Sequence, residues 1–205
     1  MTYSVIGLDR ESQLIGVAVA SGSIAVGSRV PWARLGVGGV ATQAYTNPAL
    51  GPLILGFLEE GMDARAALEA SLERDPEPQR RQVAVLAWSG DSAVFEGRWI
   101  PPQHAYIRGD DYICIGNLLK SGRIVEEMCR AFRETRSTLP RRLIEALKAG
   151  HRAGGDARGD RSAAILVVGP TKHGSLYDKV LDLRVDLSTG NPVEELEMLA
   201  KLMGF

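Results

Sequence analysis

The chain has 205 residues, 45% hydrophobic and 24% charged, which suits one folded domain over residues 1–205 and excludes an intrinsically disordered chain. Its 24 Lys and Arg nearly cancel 25 Asp and Glu, so no net field draws it to nucleic acid or to an anionic membrane. The two cysteines, Cys114 and Cys129, have no Cys-x-x-Cys spacing and no cluster of histidines, which argues against a disulfide framework and a structural metal.

Asp9 and Arg10 interrupt the amino end before an apolar signal core forms, and no apolar run reaches the ~18–20 residues of a membrane span, so a cytoplasmic protein is expected. Tyr3–Asp9 and Leu14–Ser21 are apolar, β-branched runs joined by Arg-Glu-Ser-Gln, which predicts an opening β-hairpin. A glycine-punctuated loop is expected around Val26–Arg34, and then a buried strand over Val37–Gln43, whose glycines imply close approach of another backbone. Asn47-Pro48 reads as a helix start with Leu50, Ile54, Phe57 and Leu58 on one face, and Asp63 caps a second helix over Ala64–Arg74.

Gln82–Trp88 and Ser92–Glu96 flank Ser-Gly-Asp, a second hairpin, and Tyr112–Gly116 is a short strand. Ile124, Val125, Met128 and Phe132 mark one amphipathic helix; Leu143, Ile144 and Leu147 mark another, with Pro140 in its first turn. Ala163–Val168 and Val180–Val185 are strands, and Asn191-Pro192 starts a final helix. Strand groups alternating with helix pairs predict an α+β fold of two packed sheets between helical layers, a four-layer αββα sandwich; a doubly wound parallel sheet is the competitor.

No phosphate loop, dinucleotide fingerprint or Gly-x-Ser-x-Gly elbow is present, so no cofactor is expected, and His104, His151 and His173 have no metal-binding spacing. Thr2 becomes residue one if Met1 is trimmed, and it would then offer a hydroxyl nucleophile and an α-amine base on one residue; otherwise it simply begins a strand. Gln43 sits where a buried strand meets a capped helix and can bind a polar ligand, while Asn47 reads as the cap. Asn117 at a strand end offers an amide donor for an oxyanion, or else forms a turn. In Gly154–Ser162 the charges of Asp156, Arg158, Asp160 and Arg161 alternate with glycines and can converge on a carboxylate-bearing substrate, or satisfy one another as ion pairs.

The blocks Gly16-Val-Ala-Val-Ala-Ser21, Ala25–Arg34 with Val-Pro-Trp-Ala-Arg, Gly36–Ala44 with Ala-Thr-Gln-Ala, Asn47-Pro48, Gly116-Asn117, Gly154-Gly-Asp156, Arg161–Ala164 and Asp182–Asp186 resemble domain-of-unknown-function family 1028 of the Ntn-hydrolase-like superfamily. The resemblance implies the αββα fold and amide hydrolysis by an N-terminal nucleophile, with Thr2-Tyr3-Ser4 matching the start of family members. The leading expectation is an amidohydrolase acting on a small-peptide or non-peptide amide. In it Thr2 and Asn117 are catalytic, and Ser21, Gln43, Asp156, Arg158, Asp160, Arg161 and Ser162 bind substrate. Two alternatives remain open: a non-catalytic small-molecule-binding protein on the same fold, and a structural homo-oligomer with the Pro31-Trp32 loop between subunits.

Overall fold

Leu-Asp-Arg-Glu-Ser-Gln-Leu closes the first hairpin as expected: β1 (Thr2–Asp9) pairs antiparallel with β2 (Leu14–Ser21), Thr2 opposite Ser21 and Asp9 opposite Leu14. The computed structural model describes residues 2–205, apart from the side chain of Ser175. Met1, whose removal the Thr2 expectation requires, lies outside the described residues.

The remaining strands are β3 (Pro31–Arg34), β4 (Gly38–Ala44), β5 (Arg81–Ala87), β6 (Ser92–Glu96), β7 (Ala105–Gly109), β8 (Tyr112–Asn117), β9 (Ser162–Val168) and β10 (Lys179–Val185). The helices are α1 (Leu50–Glu59), α2 (Ala64–Leu72), α3 (Arg123–Glu134), α4 (Leu139–Arg152) and α5 (Pro192–Leu202). One sheet runs β10-β9-β2-β1-β8-β7 and the other β3-β4-β5-β6. Every pairing is antiparallel, so the fold is α+β and the parallel alternative falls.

The buried apolar residues gather in three clusters. Tyr3, Val5, Ala18 and Ala20 of the six-stranded sheet meet Met128 and Phe132 of α3, Leu143 and Leu147 of α4, and Leu196 of α5. Ile6, Leu8, Ile15 and Val17, from the opposite face of the same strands, meet Ala41, Ala84 and Leu86 of the four-stranded sheet. Val40, Val83 and Val85 meet Leu50, Ile54 and Leu68 of α1 and α2. The period of two along a strand makes this split, sending Ile6 one way and Val5 the other. Each fully buried Ile, Leu, Val or Phe contributes about 1.5–3 kcal/mol. At Gly39 the close approach is of side chains and not of another backbone as expected: a Cβ there would lie 3.0 Å from Ile6 and 3.3 Å from Val17, so its absence lets the sheets close.

Local capping follows the sequence in part. Asp63 accepts from Ala66 N, and Asn191 accepts from Val193 N and Glu194 N, both as N-caps. Asn47 is not a cap: α1 begins at Leu50, and Asn47 instead accepts from Ala49 N and donates to Asp75. The expected loop at Val26–Arg34 contains a single 3-10 turn at Val26–Ser28 and the strand β3. Trp32 lies in that strand, partly buried against the third cluster, with Nε1 donating to Arg29 O.

The register brings one end of both sheets together. Thr2, Ser21, Asn117 and Ser162 end or begin their strands there, as do Ala44 and Arg81. Segments 22–30, 45–49, 73–80, 97–104, 118–122, 153–161 and 186–191 all connect elements at this end.

Candidate functional site

Thr2 and Ser4 share the face of β1 that looks toward the four-stranded sheet, while Tyr3 faces the helices. Thr2 is 6% exposed, and its Oγ1 lies 3.1 Å from Ser21 Oγ across the hairpin. Ser21 Oγ also accepts from Ser23 N. Ser4 Oγ donates to Gln43 Oε1 at 2.7 Å, and Gln43 Nε2 donates to the carbonyl of Thr2 at 3.2 Å. The strand that was expected to carry a ligand-binding Gln43 therefore holds the residue against Thr2 itself.

A second glutamine completes the arrangement. Gln82, at the start of β5 and fully buried, accepts through Oε1 from Gln43 Nε2 at 2.6 Å and from Asn117 Nδ2 at 2.9 Å. Its Nε2 donates to the Gly116 carbonyl and to Glu96 Oε1, which also lies 3.0 Å from His104 Nδ1. Asn117 Nδ2, the donor on which the oxyanion expectation relies, is thus engaged with Gln82. Asn117 Oδ1 is buried and finds no hydrogen-bond partner among the described residues.

The charged loop divides its work instead of converging. Asp156 is buried and accepts from Gly22 N, and Arg158 folds back on it through Nε and Nη2 at 3.1 Å each. Gly22 is required by this approach, because a Cβ there would lie 2.5–2.6 Å from the Asp156 carboxylate. Asp160 lies on the other side of the sheet, where its Oδ2 accepts from Tyr3 OH at 2.6 Å and is 2.6 Å from His151 Nδ1. Burial, reinforced by the charge of Asp160, holds the Tyr3 phenol well above its usual pKa, so it remains a neutral donor. Arg161 contributes its backbone, N–H to Ser21 O and carbonyl from Ser188 N, and its side chain is exposed. Ser162 bonds Ser23 O and Val26 N, which pins the segment after β2.

Beneath the loop that follows β4, Arg81 grips Asp75 with two hydrogen bonds of 2.8 and 2.9 Å and donates Nη1 to Tyr45 O. Burial alone would raise the Asp75 carboxyl, but hydrogen bonds from Arg81, Glu77 N–H and Asn47 outweigh it and hold the pKa at about 2. Four non-glycine residues with left-handed backbone lie at this end, Ala25, Gln103 and Leu118 in the connecting segments and Ala44 at the close of β4. Such conformations cost on the order of 1–3 kcal/mol each and persist where surrounding structure over-determines them, as at functional sites.

Thr2, Ser21, Gln43 and Asn117 are brought together with Asp156 beside them, whereas Asp160 and Arg161 are not. Ser4, Gln82, Glu96, Tyr3 and His151 were missed. The available signal was a polar residue on the buried face of an apolar strand, at Ser4 and at Gln82. The described residues contain no group of three or more His, Cys, Asp or Glu placed to hold a metal ion, and no helix long and apolar enough to cross a membrane.

The model of a family of unknown function, DUF1028, matches residues 2–196. The crystal structure of protein SPO2555 from Silicibacter pomeroyi, described with the same family, is 30% identical and covers 100% of this chain and 86% of its own, with a TM-score of 0.91. Anbu (ancestral beta-subunit) from Yersinia bercovieri is 10% identical, with a TM-score of 0.47 over 99% of this chain and 96% of its own. No curated protein matches.

Proposed function

The chain belongs to the DUF1028 family of unknown function, and we propose that it is an N-terminal-nucleophile amidohydrolase, one domain built as an αββα sandwich. The three apolar clusters support that layering. The observation that carries the function is the setting of Thr2: a nearly buried hydroxyl at the start of β1, in contact with Ser21 Oγ, its own carbonyl held by Gln43, and the buried Asp156 carboxylate accepting from the N–H of Gly22, next to Ser21. An ordinary strand start does not require this amount of buried polar support.

With Met1 removed, Thr2 Oγ1 attacks the carbonyl carbon of an amide while the α-amine takes the hydroxyl proton, directly or through Ser21 or water. An α-amine with a pKa of about 7.7–8.0 is partly neutral at physiological pH and so able to accept it. The resulting ammonium returns the proton to the departing nitrogen, the C–N bond breaks, and an ester on Thr2 remains. Water, deprotonated by the same amine, hydrolyses that ester to release the carboxylic acid and restore the hydroxyl. Arg158, half-exposed and anchored on the buried Asp156, binds polar parts of the substrate.

Intact mass of protein from its native host should lack Met1. Turnover in a screen of small peptides and N-acyl amides should be seen for wild type and lost by at least about a thousandfold in Thr2→Ala. Retained methionine, or equal turnover by Thr2→Ala, would rule the reading out.

A further inference from the structure

The orientation of the Asn117 amide follows from its neighbours. Two backbone carbonyls, Thr2 O and Gly116 O, are obligate acceptors, so Gln43 and Gln82 must each turn Nε2 toward them. Gln82 Oε1 then faces Gln43 and Asn117, and both of these must donate to it. Asn117 is left with its oxygen pointing elsewhere. A flipped Asn117 would set two oxygens together at 2.9 Å. The residue is fully buried, so an acceptor without a partner needs a physical reason.

The ladder supplies that reason. Leu8 N donates to Asp111 O on the β8 side of β1. Alternation along an antiparallel strand then directs the Thr2 nitrogen toward β8 as well, opposite Asn117. Directly opposed residues also project their side chains to the same face, so the side chains of Asn117 and Thr2 lie together. In the unprocessed chain the Thr2 nitrogen carries one hydrogen, which a ladder bond uses. Removal of Met1 adds hydrogens at this buried position, and they need acceptors.

We propose that Asn117 Oδ1 is the acceptor for the α-amine of Thr2 in the processed protein, and that it positions this amine to take the proton from Oγ1. The inference rests on the N-terminal-nucleophile reading. A hydrogen bond to Oδ1 orients the neutral amine with its lone pair free for the hydroxyl. The same bond strengthens when the amine becomes an ammonium, so it favours proton transfer. Asn117 is a positioning residue acting through the amine. It replaces the oxyanion donor that its sequence position suggested.

The test is an NMR titration of the Thr2 Cα and Cβ signals in processed, threonine-labelled protein. Asn117→Leu removes the acceptor and should lower the amine midpoint by about one pH unit, and Asn117→Asp supplies a charged acceptor and should raise it by about one unit or more. The charged groups nearby are Asp156 with Arg158 beside Gly22, and Glu96 with His104 across Gln82; both variants leave all four unchanged. Asn117→Asp keeps the volume of the residue and decides the matter if Asn117→Leu does not fold. An amine midpoint unmoved in the folded variants, with Met1 absent by mass, overturns the role of Asn117 alone. Retained Met1 overturns this role and the nucleophile reading together.

Discussion

Replacing Asp75 with Asn tests whether the loop over Tyr45 is held by a buried charge pair. The Asp75 side chain is fully buried and that of Arg81 is 8% exposed. The carboxyl moves from 3.8 to about 2, with burial opposing the change and Arg81, Glu77 N–H and Asn47 producing it. At ~1.4 kcal/mol per unit the shift corresponds to about 2 kcal/mol of folding stability. A depressed folded-state pKa means that this stability is fully present above about pH 4 and is lost as pH falls toward about 2. Asp75→Asn removes it at every pH and leaves Arg81 buried without a counter-charge, at a total cost of about 3–5 kcal/mol near neutrality. Urea unfolding of both proteins from about pH 7 down to about pH 2.5 should therefore show a gap that narrows by about 2 kcal/mol below about pH 4. Glu197, whose carboxyl is also held at about 2, by Lys201, Lys148 and Arg141 against the effect of burial, titrates in both proteins and cancels. A gap independent of pH, or smaller than about 1 kcal/mol, would show that the pair does not hold this loop.

Two further substitutions probe the site. Gly22→Ala sets a Cβ on the Asp156 carboxylate, and should lower stability by about 1–3 kcal/mol in thermal melts and weaken turnover as the loop before β9 is displaced; an unchanged melting temperature would contradict this. Gln82→Leu leaves the Gln43 and Asn117 donors and the Gly116 carbonyl short of a partner, and should cost about 2–5 kcal/mol in chemical denaturation, with a loss under about 1 kcal/mol counting against the network.

Much of the fold was legible because burial writes a period into the sequence. Leu14–Ser21 reads as a strand and has the bounds expected, and the run from Ile124 to Phe132 lies inside α3 as its apolar spacing indicates. The strands that escaped are edge strands. Pro31–Arg34 begins with a proline and Ala105–Gly109 carries an exposed tyrosine, so neither shows the continuous apolar signal of an interior strand. Thr2, Gln43 and Asn117 stood out as polar residues at strand ends. Gln82 carries the same signal at the head of its strand, but its pairing with Asn117 is set by the stacking of one sheet on the other, which the sequence does not show. Asp160 was grouped with Asp156 by proximity in the chain, and it does accept from Asp156 N, but its other oxygen is taken by Tyr3 and His151 and not by the group around Thr2.

The hairpin turns between β1 and β2, β5 and β6, and β7 and β8 lie at the far end of the sheets, where Arg10 reaches Trp88 O, Ser89 O and Asp111. These tight hairpin turns are thereby kept at the end opposite the candidate site. An affinity label, a fluorophore or a surface tether placed in the exposed Ser89-Gly90-Asp91 turn would stand about the length of a strand from Thr2, roughly 20–25 Å. Immobilised protein attached there would present the candidate site around Thr2 to solution in a single orientation, an arrangement suited to substrate discovery on a solid support.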